Sequence, residues 1–206
     1  MLHDISVEVR VGTPEWPGDA PFECGWTTRI AAGASVNLSR VGGSPHVGTH
    51  ADAPLHVRDG WPASDSLPLE VFLGEAVVID VSGTPDGPLS LDLDDARLAG
   101  VERLLLRTGR SIAEGRFPAD WPVLDSVTAA RLAERGLRLL GVDSPSVDAR
   151  HSTRLEVHHA LFGGGAYVLE NLDLRGIPGG RYELIALPQR LAGLDAAPVR
   201  AVLRSR

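Results

Sequence analysis

The chain contains no lysine: all 20 of its basic residues are arginine. Schiff-base chemistry and a P-loop lysine are therefore excluded. A single cysteine, Cys24, leaves no internal disulfide and no Cys-x-x-Cys zinc site. That usage fits a reducing, cytoplasmic setting, with Cys24 an inert side chain rather than a nucleophile. No apolar run approaches the ~20 residues of a membrane helix. The start, Met1-Leu2-His3-Asp4, has no basic segment leading into an apolar one, so no signal peptide is expected. Positive charge is also in deficit: the net charge is −7, which argues against a nucleic-acid partner. Two signatures are missing as well. No Gly-x-Gly-x-x-Gly follows a strand, which excludes a dinucleotide site. Gly33-Ala34-Ser35-Val36-Asn37 lacks the closing glycine of a nucleophile elbow.

What remains is an ordinary globular balance. The chain has 206 residues, 43% of them hydrophobic and 23% charged, enough for one domain spanning residues 1–206 with a real core. With 23 glycines and 15 prolines, turns are many and elements short. Residues 3–11 alternate like a strand. Residues 12–26 read as an ordered loop or arm, and residues 27–41 as one or two polar strands. Buried strands are expected at 75–81, at 102–107 around Leu104-Leu105-Leu106, and at 137–142. A helix is expected at 126–135, capped by Asp125 or Ser126 and ended by Gly136, with an apolar stripe of Val127, Ala130, Leu132 and Ala133. A second helix at 153–162 stops at Gly163-Gly164-Gly165, and strands follow at 166–171, 181–187 and 198–204. The mixture says α/β with β-rich flanks.

The informative stretch is Ser44-Pro45-His46-Val47-Gly48-Thr49-His50-Ala51-Asp52-Ala53-Pro54-Leu55-His56. Three of the chain's seven histidines fall in it, with a carboxylate among them. Imidazole and carboxylate are the usual ligands of divalent zinc or manganese. On a helix, Asp52 would swing away from His46 and His50. An extended chain keeps 46, 50 and 52 on one face, and the flanking prolines disfavour a helix. Gly48 shares that parity and would leave the space between the histidines uncrowded. His56, beyond Pro54, is either a fourth ligand or a free acid/base. The bland alternative is a histidine-rich surface turn.

A second stretch adds Glu156-Val157-His158-His159 and, at the end of an apolar strand, Glu170. Adjacent histidines on a helix point about 100° apart and cannot share a role. His159 then packs in the core or hydrogen-bonds a ligand. A carboxylate at Glu170 is costly to bury unless paired or bound to metal. His3 and His151 read as solvated or structural.

At these residues the chain resembles the cyclase family of metal-dependent hydrolases, and within it the bacterial formamidases. The family's mark, His-x-Gly-Thr-His-x-Asp-x-Pro-x-His, is met in full by residues 46–56. The likeness runs nearly end to end, through Asp4-Ile5-Ser6, Trp16-Pro17-Gly18-Asp19, Asp143-Ser144-Pro145-Ser146-Val147-Asp148, His158-His159, Glu170, Tyr182-Glu183-Leu184 and Leu194-Asp195-Ala196-Ala197-Pro198. Residues 149–154 depart from the family's run there. The resemblance implies a single-domain swivelling β/β/α fold, with a mixed sheet or barrel core and flanking helices. It also implies a binuclear site, usually zinc, with manganese an alternative. His46, His50 and Asp52 would hold the first metal. Asp52 would bridge to the second, held also by His158, and Glu170 would bridge both. His56 would be the acid/base and Trp16 would line the substrate pocket. The implied reaction is hydrolysis of N-formyl-L-kynurenine, a step of tryptophan degradation, by a homodimer or larger assembly. Trp61 and Phe72 could also close the pocket, although core packing is the stronger expectation for each, and an arginine is expected on the substrate carboxylate. Two rivals stand beside this reading: a hydrolase of cyclic amides such as isatin, and a non-catalytic metal- or ligand-binding module. The latter would not need His56.

Overall fold

Leu104, Leu105 and Leu106 are consecutive, yet they serve two different cores. Leu104 and Leu106 pack with Val77, Ile79, Leu132, Leu140, Leu161 and Val168. Leu105 packs on the opposite side with Ile5, Phe72, Val78, Leu139, Leu169 and Leu203. Side chains alternate along a strand, so an uninterrupted apolar run means a strand covered on both faces. The computed structural model describes residues 1–205.

The strands in chain order are β1 (Leu2–Asp4), β2 (Glu23–Thr28), β3 (Leu38–Gly42), β4 (His50–Asp52), β5 (Leu73–Asp80), β6 (Gly87–Leu89), β7 (Arg103–Arg107), β8 (Pro122–Leu124), β9 (Leu139–Val142), β10 (Tyr167–Glu170), β11 (Gly180–Ile185), β12 (Ala196–Pro198) and β13 (Val202–Arg204). The helices are α1 (Ser126–Glu134) and α2 (Glu156–Gly163). Nine strands form one mixed sheet in the order β1-β13-β11-β5-β7-β9-β10-β4-β12, curled into a half-barrel. β5, β7, β9 and β10 run parallel, and the remaining pairings are antiparallel. The α/β expectation and the mixed-sheet core are both met. No helix among the described residues is long and apolar enough to cross a membrane.

The expected strands at 75–81, 102–107, 137–142, 166–171 and 181–187 all form, shifted by a few residues at their ends. Other elements differ. Only the start of 3–11 is a ladder strand; beyond it Val7 N–H donates to Thr49 Oγ1 rather than to a neighbouring strand. The 198–204 segment is two strands, broken where Ala201 N–H turns to Ser6 Oγ. β2 begins inside the expected loop and pairs with β3 in a hairpin of its own. The short parallel pair β6–β8 carries too little pattern to be foreseen.

α1 starts as expected, with Asp125 Oδ1 accepting from Thr128 N at 2.9 Å. Its buried face is Thr128, Ala129, Leu132 and Ala133, however, and Val127 is exposed. The cause is close packing of α1 on the end of α2. A Cβ at Gly164 would lie 2.5 Å from Ala133 Cβ, so small residues must face this contact and Val127 turns outward.

Candidate metal centre

β4 and β10 pair so that His50 sits opposite Glu170 and Asp52 opposite Val168. Residues opposite one another share a face of the sheet. His50, Asp52 and Glu170 therefore share the face that carries Val168, the face on which α2 packs. α2 buries Val157, His158 and Leu161, and so delivers His158 to the same place. Ala51 and Leu169, of opposite parity, lie in the other core.

The period-two reading is correct for His50 and Asp52 but not for His46. Residues before β4 turn rather than extend, with Val47 N–H donating to Ser44 O at 3.2 Å. Gly48 takes a left-handed φ of +77°, and a Cβ there would collide with Val9. The glycine thus serves a turn packed on Val9, not clearance between imidazoles.

Each of three histidines is held by one ring nitrogen and turns the other inward. His50 Nδ1–H donates to Gly48 O at 2.8 Å. His158 Nδ1–H donates to Asp148 Oδ2 at 2.7 Å. His46 Nε2–H donates to Asp195 Oδ2 at 2.9 Å. Such outer acceptors fix the tautomer and leave the inner nitrogen as a lone pair. The inner nitrogens converge on two carboxylates. Asp52 Oδ1 lies 3.2 Å from His46 Nδ1 and 3.2 Å from His50 Nε2, while its Oδ2 lies 3.1 Å from His158 Nε2. Glu170 Oε2 lies 3.6 Å from His50 Nε2 and its Oε1 lies 3.4 Å from His158 Nε2. Both carboxylates thus present one oxygen to each side of the cluster.

This donor set fits divalent cations. Asp52 Oδ1 is buried and accepts no hydrogen bond, an expensive state for a carboxylate oxygen. His46 Nδ1 and His50 Nε2 face each other at 3.1 Å with their outer nitrogens already donating, so two lone pairs oppose unless a cation lies between. The site's electrostatics make the same demand. Burial alone would lower the pKa of His46, but the neighbouring carboxylates of Asp195 and Asp52 raise it to about 10. His158 is likewise driven well above the usual imidazole value, because Asp148, Asp52 and Glu170 outweigh its burial. Burial would raise Asp52, yet His50, His158 and His46 hold it well below the usual carboxylate range. The cluster requires positive charge, which divalent metal supplies. His50, Asp52 and Glu170 form one set of donor atoms close enough to share an ion; His46, Asp52 and His56 form another.

The cluster opens into a cavity of about 300 Å³ lined by Trp16, His46, His50, His56, His158 and Glu170, among others. Trp16 stands edge-on to Phe117 at 5.5 Å and to Trp121 at 6.0 Å, giving the cavity an aromatic wall. His56 ends a short 3-10 turn, Pro54–His56, and its Nδ1 lies 3.2 Å from Asp195 Oδ2. All seven expected site residues are therefore together. Phe72 is instead fully buried in the core, and Trp61 stacks under Arg58 and meets His159 edge-on, outside the cavity. His159 is neither core nor hydrogen-bonded to a ligand; it is exposed. Among the described residues no arginine lines the cavity; Asp19 does.

Asp148 and Asp195 carry functions that the sequence did not reveal. Asp148 accepts from the N–H groups of Val157 and His158 as well as the His158 ring, so one carboxylate caps α2 and aims its histidine. An aspartate ten residues before a helical histidine is the only signal, and it is weak. Asp195 lies 139 residues from His56, beyond any local pattern.

Comparison with known proteins agrees with this geometry. Residues 3–149 match the protein-family model described as "Putative cyclase". The kynurenine formamidase of Salinibacter ruber is 43% identical over 205 residues, covering 98% of this chain and 97% of that protein. Among solved structures, a potential metal-dependent hydrolase with cyclase activity superposes with a TM-score of 0.82 at 27% identity, covering 100% of this chain and 99% of that one. Isatin hydrolase A from Labrenzia aggregata shares the fold, with a TM-score of 0.83 at 24% identity over 98% of this chain and 93% of that one.

Proposed function

The chain belongs to the cyclase family, and from that membership we propose that it is a metal-dependent formamidase converting N-formyl-L-kynurenine and water to L-kynurenine and formate. The observation that carries this reading is a partly exposed His56 on the wall of a cavity that His46, His50, His158 and Glu170 also line. His46, His50 and Asp52 would hold one divalent ion, and Asp52, His158 and Glu170 would hold a second. The split of each carboxylate's oxygens between the two sides supports the bridging roles. Zinc suits this nitrogen-rich set best, and manganese is the alternative. When bound, such ions supply Lewis acidity and a nucleophile at neutral pH.

The chain's own residues supply the rest. An anilide nitrogen leaves poorly as an anion, so a positioned acid must protonate it. His56 does this from Nε2, which no described residue bonds. Trp16, with Phe117 beside it, covers the flat ring of the substrate. Apart from Glu170, Asp19 is the one carboxylate on the cavity wall, and it pairs with the substrate's α-ammonium. Asp19→Asn is expected to raise KM for N-formyl-L-kynurenine about tenfold, the worth of a charged hydrogen bond. KM for N-formylaniline, which has no ammonium, stays unchanged; an equal rise for both would remove Asp19 from this role.

The one domain works as a homodimer or larger assembly. The β2–β3 hairpin supports this, because it pairs with no other strand among the described residues and exposes Trp26 (53%) and Val41 (73%). Two-stranded hairpins are marginal alone, and exposed apolar arms mark contact surfaces.

The test of the function is turnover of N-formyl-L-kynurenine beside isatin, before and after chelation and zinc restoration. Fast formyl hydrolysis, abolished by chelator and restored by zinc, is the expected result. Turnover of isatin alone would move the chain to cyclic amides.

A further inference from the structure

Among the described residues, Asp195 is the side chain that hydrogen-bonds both His46, a proposed metal ligand, and His56. Its Oδ2 lies 2.9 Å from His46 Nε2 and 3.2 Å from His56 Nδ1. The two rings are neighbours, with centroids 4.5 Å apart. The backbone around Asp195 is held on both sides. Its carbonyl accepts from Ala53 N at 2.8 Å, next to Asp52, and the preceding Leu194 carbonyl accepts from Ser64 N at 2.8 Å. Gly193 N–H donates to Asp65 Oδ1 at 3.0 Å. β12, which begins one residue later, pairs with β4 itself. The carboxylate is thus fixed relative to the strand that carries His50 and Asp52, although 43% of its side chain remains exposed.

An ionised carboxylate oxygen only accepts hydrogen bonds. Both nitrogens facing it must therefore carry protons: Nε2 of His46 and Nδ1 of His56. The other nitrogen of each ring is then determined. His46 offers a lone pair at Nδ1 to the metal-binding cluster, and His56 is left with Nε2 towards the cavity. We propose that Asp195 is the positioning residue of this site, a single carboxylate that sets the tautomers of His46 and His56 together. The inference rests on the acid/base reading of His56 and extends it. In the proton transfer, Nε2 of His56 takes a proton from the attacking water and gives it to the departing nitrogen, while Nδ1 keeps its own against Asp195. The ring thus returns to the neutral Nδ1–H form, ready to accept a proton at Nε2.

Three variants of the metal-loaded enzyme test this, Asp195→Ala, Asp195→Asn and His56→Ala, together with the double variant His56→Ala/Asp195→Ala. Asp195→Ala is expected to lower kcat about tenfold to a hundredfold, the usual effect of losing an outer hydrogen-bond partner, with KM little changed. Asp195→Asn keeps an acceptor oxygen and retains more activity than Asp195→Ala. In the His56→Ala background, Asp195→Ala costs less than in the parent, because the share of its effect exerted through His56 is gone and only that through His46 remains. Metal content, measured on every variant, stays near that of the parent. Imidazole nitrogen NMR reads the tautomer without turnover: His56, assigned by its absence in His56→Ala, is Nδ1–H in the parent and loses that preference in Asp195→Ala. A full additional loss in the double variant would overturn the proposal, as would metal loss accounting for the whole deficit. An Nε2–H His56 in the parent would overturn it too. If His56→Ala turned over like the parent, the acid/base reading would fall instead, and the NMR result alone would decide Asp195.

Discussion

Asp52→Ala purifies without either metal and without measurable turnover of N-formyl-L-kynurenine. The expectation follows from position. Asp52 is fully buried, and its two oxygens face different imidazoles, Oδ1 towards His46 and His50, Oδ2 towards His158. No other carboxylate reaches all three histidines; Glu170 reaches His50 and His158 only. On the proposed two-ion reading, removing Asp52 takes a ligand from both ions at once, and Lewis acidity and nucleophile generation fail together. The loss of rate is ~10³-fold or more. Asp52→Asn separates charge from shape: it keeps the volume but not the negative charge that divalent ions require, and loses metal as well. Elemental analysis of both variants is the check, with circular dichroism to confirm folding. Full occupancy in folded Asp52→Ala would sink the bridging role.

The second large effect comes without any loss of metal. His56→Ala keeps both ions and lowers kcat by ~10²–10⁴-fold, the usual worth of a positioned acid or base. KM changes little, because the ring acts on the transition state rather than on the bound substrate. The loss depends on the leaving group. A formanilide with an electron-withdrawing ring needs less protonation as it departs, so the parent-to-variant ratio narrows on such substrates. Full sensitivity across the series would mean that His56 does not protonate the leaving nitrogen. Loss of metal in this variant would make it a ligand, the role that its proximity to His46 and Asp52 also permits.

The sequence carried the core and the metal donors for one reason: both follow short-range rules. Apolar runs located β5, β7 and β9. The eleven residues from His46 to His56 contain four of the seven expected site residues. What escaped was governed by distance or by packing. Asp195 meets His56 only because β12 lies beside β4, a pairing with no local signature. Val127 faces solvent because Ala133 must approach Gly164, a constraint set by the second helix. Residue type alone offered Phe72 and Trp61 to the pocket as the lesser reading; core packing was the stronger one, and Phe72, immediately before β5, takes it. His46 belongs to a turn because Gly48 packs on Val9, a contact 39 residues away along the chain.

The register of β4 gives the site an error check. β4 has only three residues, and alternate side chains point to opposite faces. A slip of one position against β10 would not yield a weaker version of the centre. It would put Ala51 where the ions belong and drive His50 and Asp52 into the apolar packing around Ile5 and Leu105. Mispaired chains would bear buried, unpartnered charge and expel themselves from the native population. The residues proposed to hold the metal thereby proofread the strand that carries them.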